Sequence, residues 1–112
     1  MSRPCILVAD NHPEDLRLLE VSLKNAGFAV TTANNGRDAL RKVEISPPDL
    51  ILSETTLPEL DGFAFVNALK EKPEWATIPF LFLSEERSVE HKVRGLEQGV
   101  DDYLVKPVFV KE

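Results

Sequence analysis

Four polar segments stand directly behind short apolar runs. Asp10 and Asn11 follow "CILVA", Glu54 follows "LILS", Ser84 closes "IPFLFLS", and Lys106 follows "YLV". Two carboxylates, an amide, a hydroxyl and an ammonium make a polar pocket if the fold brings these ends together. In "PDLILSETTLPELDGF", Pro48 to Phe63, a buried strand runs into a loop that closes at an Asp-Gly helix start. Glu54 lies just past that strand. Such a carboxylate is a reactive group, the replacement of one, or an ordinary loop residue. Thiol and zinc chemistry have less to stand on. Cys5 is the single cysteine, which excludes an intrachain disulfide, and one thiol with two separated histidines makes no zinc site. Lying within an apolar run, Cys5 reads as an inert core thiol.

The elements that must position these groups follow from periodicity. Apolar runs of strand length alternate with helical patterns. Cys5 to Ala9 is continuously apolar. Leu16, Leu19 and Leu23 then recur at helical spacing, with Pro13 suited to a helix start and Gly27 to its end. Phe28 to Ala33 is a weaker, alternating strand. Ala39, Leu40 and Val43 share a helix face that stops before Pro47-Pro48. Leu50 to Leu52 is the third strand, and Asp61 caps the helix after it. Ile78 to Ser84 is the fourth strand. A helix capped by Ser88 is expected to turn Val89, Val93 and Leu96 inward. Tyr103 to Val105 is the fifth strand. Trp75 is expected to pack over the far end of the sheet.

Strand-helix alternation demands a parallel sheet with helices on both faces. The second strand alternates and the fifth is short, so both belong at edges. With right-handed crossovers, this gives a doubly wound α/β fold with five parallel strands in order 2-1-3-4-5. Strand order reverses beside strand 1, so a crevice is expected between the carboxyl ends of strands 1 and 3. The polar groups named above all fall on that edge of the sheet.

The bulk numbers are compatible with this. A chain of 112 residues fits one domain, residues 1–112, and 43% hydrophobic residues suffice for one core. No apolar run approaches the roughly 20 residues needed to cross a bilayer, and the first ten residues are too short for a secretory signal, so cytoplasm is the expected compartment. The net charge of −6 opposes a phosphate backbone, so no direct nucleic-acid binding and no membrane association are expected. After the last strand only "PVFVKE" remains. A fifth helix is therefore expected to be missing or truncated, as in a domain cut from a longer protein. Apolar sheet left bare in this way would favour a dimer.

"ILVADNHPEDLRLLEVSLKNAGF", "PDLILSETTLPELDGF", "FLS" and "GVDDYLVKP" occur in this order, and with them the chain resembles the response-regulator receiver domain family, CheY-like in fold. The resemblance spans essentially all of it. It implies two-component phosphorelay signalling, in which a sensor histidine kinase passes a phosphoryl group to an aspartate ending strand 3. It implies a magnesium ion held by an acidic pair after strand 1 and by a backbone carbonyl past the acceptor. Asp10 then matches the first acid, the Thr56 carbonyl the backbone ligand, Ser84 the phosphate-sensing hydroxyl and Lys106 the phosphate-sensing lysine. Tyr103 matches the aromatic switch position, and Pro107 a proline that often follows a cis peptide. Partner contact is implied for the helix of Val89 to Gln98 and strand 5. An output domain in the parent chain is also implied.

Two positions depart from the pattern. Asn11 replaces the second acid and Glu54 replaces the acceptor. Asp49 cannot stand in, lying about 16 Å away at roughly 3.3 Å per residue, and Asp61 caps a helix. Asn11 offers an oxygen without charge, so weak magnesium binding or no cofactor is expected. Glu54 carries its carboxylate about 1.5 Å further forward, which spoils in-line attack and brings it towards Lys106 and Ser84. The expected function is a phosphorylation-independent interaction module and not an enzyme. The alternatives are a receiver phosphorylated on Glu54, or a flavodoxin-like cofactor binder. The latter lacks a glycine-rich loop, since "ADNHPED" has no glycine. His12 reads as an exposed turn residue, His91 as solvated, and Glu85 to Arg87 as a flexible polar loop.

Overall fold

The computed structural model describes residues 3–107. Strand β1 (Cys5–Ala9) leads into helix α1 (Pro13–Asn25), which opens on Pro13 with Glu14 and Asp15 in its first turn. The missing proline N–H costs nothing there, and the two acids face the positive end of the helix dipole. Strand β2 (Ala29–Ala33) precedes α2 (Gly36–Ile45), whose Asn35 side chain caps the Asp38 N–H. Strand β3 (Leu50–Ser53) precedes α3 (Gly62–Lys70), capped by Asp61 at the Ala64 N–H. A four-residue helix, α4 (Pro73–Ala76), then leads to β4 (Phe80–Ser84). Ser88 caps α5 (Val89–Glu97) at the His91 N–H, and β5 (Asp102–Val105) closes the sheet. Side-chain caps of this kind satisfy amide donors that no helical carbonyl can reach.

All strands are parallel and run in the order β2-β1-β3-β4-β5, with β2 and β5 at the edges as expected. Register does the positioning. Ala9 pairs with both Ala33 and Ser53, and Ser84 pairs with Val105. Asp10, Glu54 and Lys106 each come one residue after these pairs, and Ser84 is itself a member of one. Three ladder bonds carry the order that far: Asp10 N–H to Ala33 O at 3.0 Å, Glu54 N–H to Ala9 O at 2.9 Å, and Lys106 N–H to Ser84 O at 2.8 Å.

Alternation along the strands splits the core in two. Leu7, Ile51, Phe80, Phe82 and Tyr103 face α2 and α3, where Val43, Phe63, Phe65 and Val66 meet them. Ile6, Val8, Leu52 and Leu83 face α1 through Leu19 and Leu23. Trp75 on α4 packs partly buried against the larger cluster, and four residues were too few for periodicity to announce that helix.

One expectation about orientation is overturned. Val89, Val93 and Leu96 do not face inward; they are 74%, 43% and 42% exposed. α5 sits on the sheet through Gly95, where a Cβ would lie 2.9 Å from the Phe82 ring and 3.3 Å from Tyr103. A helix seated on a glycine leaves its apolar stripe outside. His91, expected to be solvated, packs its ring edge on Phe63 at 5.4 Å between centroids. The expectation of a missing fifth helix falls on residues 108–112, outside the described residues.

Candidate functional site

The carboxyl ends of β1, β3, β4 and β5 bring Asp10, Glu54, Ser84 and Lys106 into one pocket. Asp10 is 2% exposed, Glu54 3% and Ser84 0%. Asn11 and Thr56 are exposed. The Lys106 ammonium sits at the centre. It donates to Asp10 Oδ2 at 2.7 Å and to Asp15 Oδ2 at 2.9 Å, and lies 3.1 Å from Glu54 Oε2. Ionised groups are tolerated in such seclusion because each faces a partner.

The Glu54 carboxylate does not point into water. Oε1 accepts the Thr55 N–H at 2.8 Å and the Thr55 hydroxyl at 3.2 Å; Oε2 accepts a longer bond from the Glu85 N–H at 3.4 Å. Burial pushes its pKa up, but the Ser84 hydroxyl, the Thr55 N–H and the Lys106 ammonium outweigh that, and it lies below the ordinary 4.5. Lys106 shows the converse. Burial lowers its pKa, while Asp10, Asp15 and Glu54 raise it well above 10.5.

A chain of hydrogen bonds leaves the pocket. The Glu86 N–H donates to Ser84 Oγ at 3.0 Å, and Ser84 Oγ lies 2.9 Å from Thr55 Oγ1. The Thr55 hydroxyl donates to Glu54 Oε1, so Ser84, Thr55 and the Glu54 carboxylate form one hydrogen-bonded group. On the far side of Glu86, the buried Tyr103 hydroxyl donates to its carbonyl at 2.8 Å. The segment Glu85 to Arg87, expected to be a flexible loop, is thus tied to the pocket by its backbone. Arg87 adds a bond to Lys106 O at 3.4 Å.

Sequence reasoning missed three participants. Asp15 was given no role, yet it reaches Lys106. Thr55 was passed over beside Glu54. His12, expected to be an exposed turn residue, is half-buried, with Nδ1 3.0 Å from Asp10 Oδ1 and Nε2 3.8 Å from Glu85 Oε2. The Lys106–Pro107 peptide is cis, as the resemblance implied. The enclosed pocket has no glycine-rich loop beside β1, so nothing favours a flavodoxin-like cofactor binder.

Known proteins share this architecture. The response regulator receiver domain profile matches residues 6–112. Transcriptional regulatory protein PrrA of Mycobacterium leprae is 41% identical over 112 residues, all of this chain and 47% of that protein. The chain spans about half the length of the curated regulators of this kind that it matches. Among solved structures, the chemotaxis protein CheY4 of Vibrio cholerae superposes with a TM-score of 0.89 at 32% identity, over 96% of this chain and 90% of that one. The receiver domain of sensor histidine kinase PA1611 from Pseudomonas aeruginosa, with a magnesium ion in its active-site cleft, does so with a TM-score of 0.87 at 27% identity, over 97% and 88%. Fold and sequence agree, and this chain belongs to the response regulator receiver domain family of two-component signalling.

Proposed function

We propose that this receiver domain works without phosphorylation, with the Glu54 carboxylate as a built-in occupant of the acceptor niche, and that it acts by protein contact. The observation that carries this is the Glu54 coordination: Lys106, Thr55 and the Glu85 N–H already engage both carboxylate oxygens. A nucleophile needs a free, basic oxygen aligned with phosphorus. Here both oxygens are taken and the pKa is depressed. The groups that would receive phosphoryl oxygens in a standard receiver, Ser84 and Lys106, serve Glu54 instead. Tyr103, at the switch position, is already inside and bonded to Glu86. On this reading the signalling state is fixed by sequence.

Partners are a histidine kinase or other signalling proteins, engaged through α5 and β5, where Val89, Val93, Leu96 and Leu104 are exposed. The length of the relatives supports a parent chain with an output domain. A divalent metal is retained only weakly. Asp10 and the Thr56 carbonyl would hold it, but the Lys106 ammonium occupies Asp10 Oδ2 and Asn11 contributes no charge. Such an ion, when bound, would neutralise charge near the acceptor.

Incubation with acetyl phosphate and magnesium, followed by intact-mass measurement, tests the proposal. No phosphoryl adduct is expected. An adduct that disappears in Glu54→Gln would establish the rival reading, a receiver phosphorylated on Glu54.

A further inference from the structure

His12 has no part in the reading above, yet its ring is held by a buried carboxylate. The Asp10 carboxylate accepts the His12 N–H at 2.9 Å and lies 3.0 Å from Nδ1. Asp10 Oδ2 is held by Lys106, which leaves Oδ1 to engage the ring at Nδ1. That contact orients the ring and leaves Nε2 as the nitrogen on the Glu85 side. Nε2 lies 3.8 Å from Glu85 Oε2. His12, Asp15 and Glu85 each offer one ligand atom, all within 4.8 Å of one another. A carboxylate behind an imidazole whose other nitrogen faces further carboxylates is the arrangement that orients histidine ligands towards zinc.

The donor set selects the cation. Magnesium prefers oxygen ligands alone and gives up its water reluctantly. Imidazole nitrogen suits zinc and its neighbours. Charge favours a cation too: Asp10, Asp15 and Glu54 share the one ammonium of Lys106, and Glu85 adds a fourth carboxylate beside His12. We propose that the pocket rim is a zinc-class divalent site in which His12 Nε2, Asp15 and Glu85 are the ligands and Asp10 orients the imidazole. This site lies outside the niche filled by Glu54. It does not depend on whether Glu54 stands for phosphate, so a failure here leaves the phosphodonor experiment untouched.

The test is calorimetric titration of the full chain with zinc chloride, paired with nitrogen-15 spectra of the histidine rings. One zinc per chain is expected, with the His12 Nε2 resonance moving on binding. His12→Ala and Glu85→Gln are each expected to weaken zinc by at least about tenfold, and Glu54→Gln, which removes a neighbouring charge and no ligand, to weaken it less than either. Zinc affinity unchanged in His12→Ala would overturn the site, as would a resonance shift at His91 and not at His12. Zinc binding abolished in Glu54→Gln would place the ion in the inner niche and overturn the outer assignment. Should a variant fail to fold, the wild-type ring spectra decide alone.

Discussion

At the scale of single residues, the site is governed by one cation shared among three acids. Lys106 touches Asp10, Asp15 and Glu54. Lys106→Met would leave secluded carboxylates without their counter-charge, and the expected loss is about 3–5 kcal/mol by urea denaturation at pH 7. Glu54→Gln is milder, because Lys106 keeps two acids; about 1–3 kcal/mol is expected for hydrogen bonds to a charged group. The pH dependence has a definite sign. The folded pKa of Glu54 lies below its ordinary 4.5, so its contribution is complete above 4.5 and is lost as pH falls through the folded value. Lys106 is raised above 10.5, so its contribution is complete below 10.5 and is lost at more alkaline pH. The stability gap between wild type and Glu54→Gln should therefore be full at pH 7 and narrow steadily below pH 4.5. A gap independent of pH would mean that Glu54 is held by shape and not by charge.

At the scale of elements, two close approaches decide where helices sit. A Cβ on Gly62 would stand 2.3 Å from the backbone oxygen of Glu54 and 2.9 Å from Thr55 Cα. Neither atom can swing away, so Gly62→Ala should cost about 1–3 kcal/mol and disturb the Glu54 loop. By contrast, Val93→Lys on the exposed stripe of α5 should change stability by no more than about 0.5 kcal/mol, whereas a valine that packed inward would cost several times that. This contrast also explains what the sequence could disclose. Asp10, Glu54, Ser84 and Lys106 were legible because each ends or follows a strand and the strand order sets their meeting point. The helix caps Asp61 and Ser88 were legible from local chemistry. α5 was misoriented because hydropathy weighs Val89, Val93 and Leu96 and gives no weight to Gly95, the residue that makes the contact. Asp15 and His12 were missed because their partners lie far along the chain or depend on a ring orientation. Lys106 is 91 residues from Asp15.

At the scale of the whole molecule, the pocket and the α5–β5 face are joined through one residue, Glu86. Its N–H grips Ser84, which leads through Thr55 to Glu54, and its carbonyl takes the Tyr103 hydroxyl. A chain of this kind couples its ends only if its members have a common preferred arrangement. A double-mutant cycle measures that directly. Tyr103→Phe removes the hydroxyl and keeps the ring in the core; Glu54→Gln removes the charge and keeps the shape. If Glu54 holds Tyr103 inside, the two losses should not add, and a coupling of about 0.5–3 kcal/mol is expected. Glu54→Gln paired with Gln98→Ala is the control. Gln98 joins α5 to Phe63 O and Asn67 outside the chain of hydroxyls, so that pair should be additive within about 0.5 kcal/mol. Coupling in the first cycle and additivity in the second would make Glu54 the residue that sets the position of Tyr103 behind the α5–β5 face. Additivity in both would mean that the Tyr103 position is fixed by core packing alone, and the pocket would then have no hold on the exposed α5–β5 face.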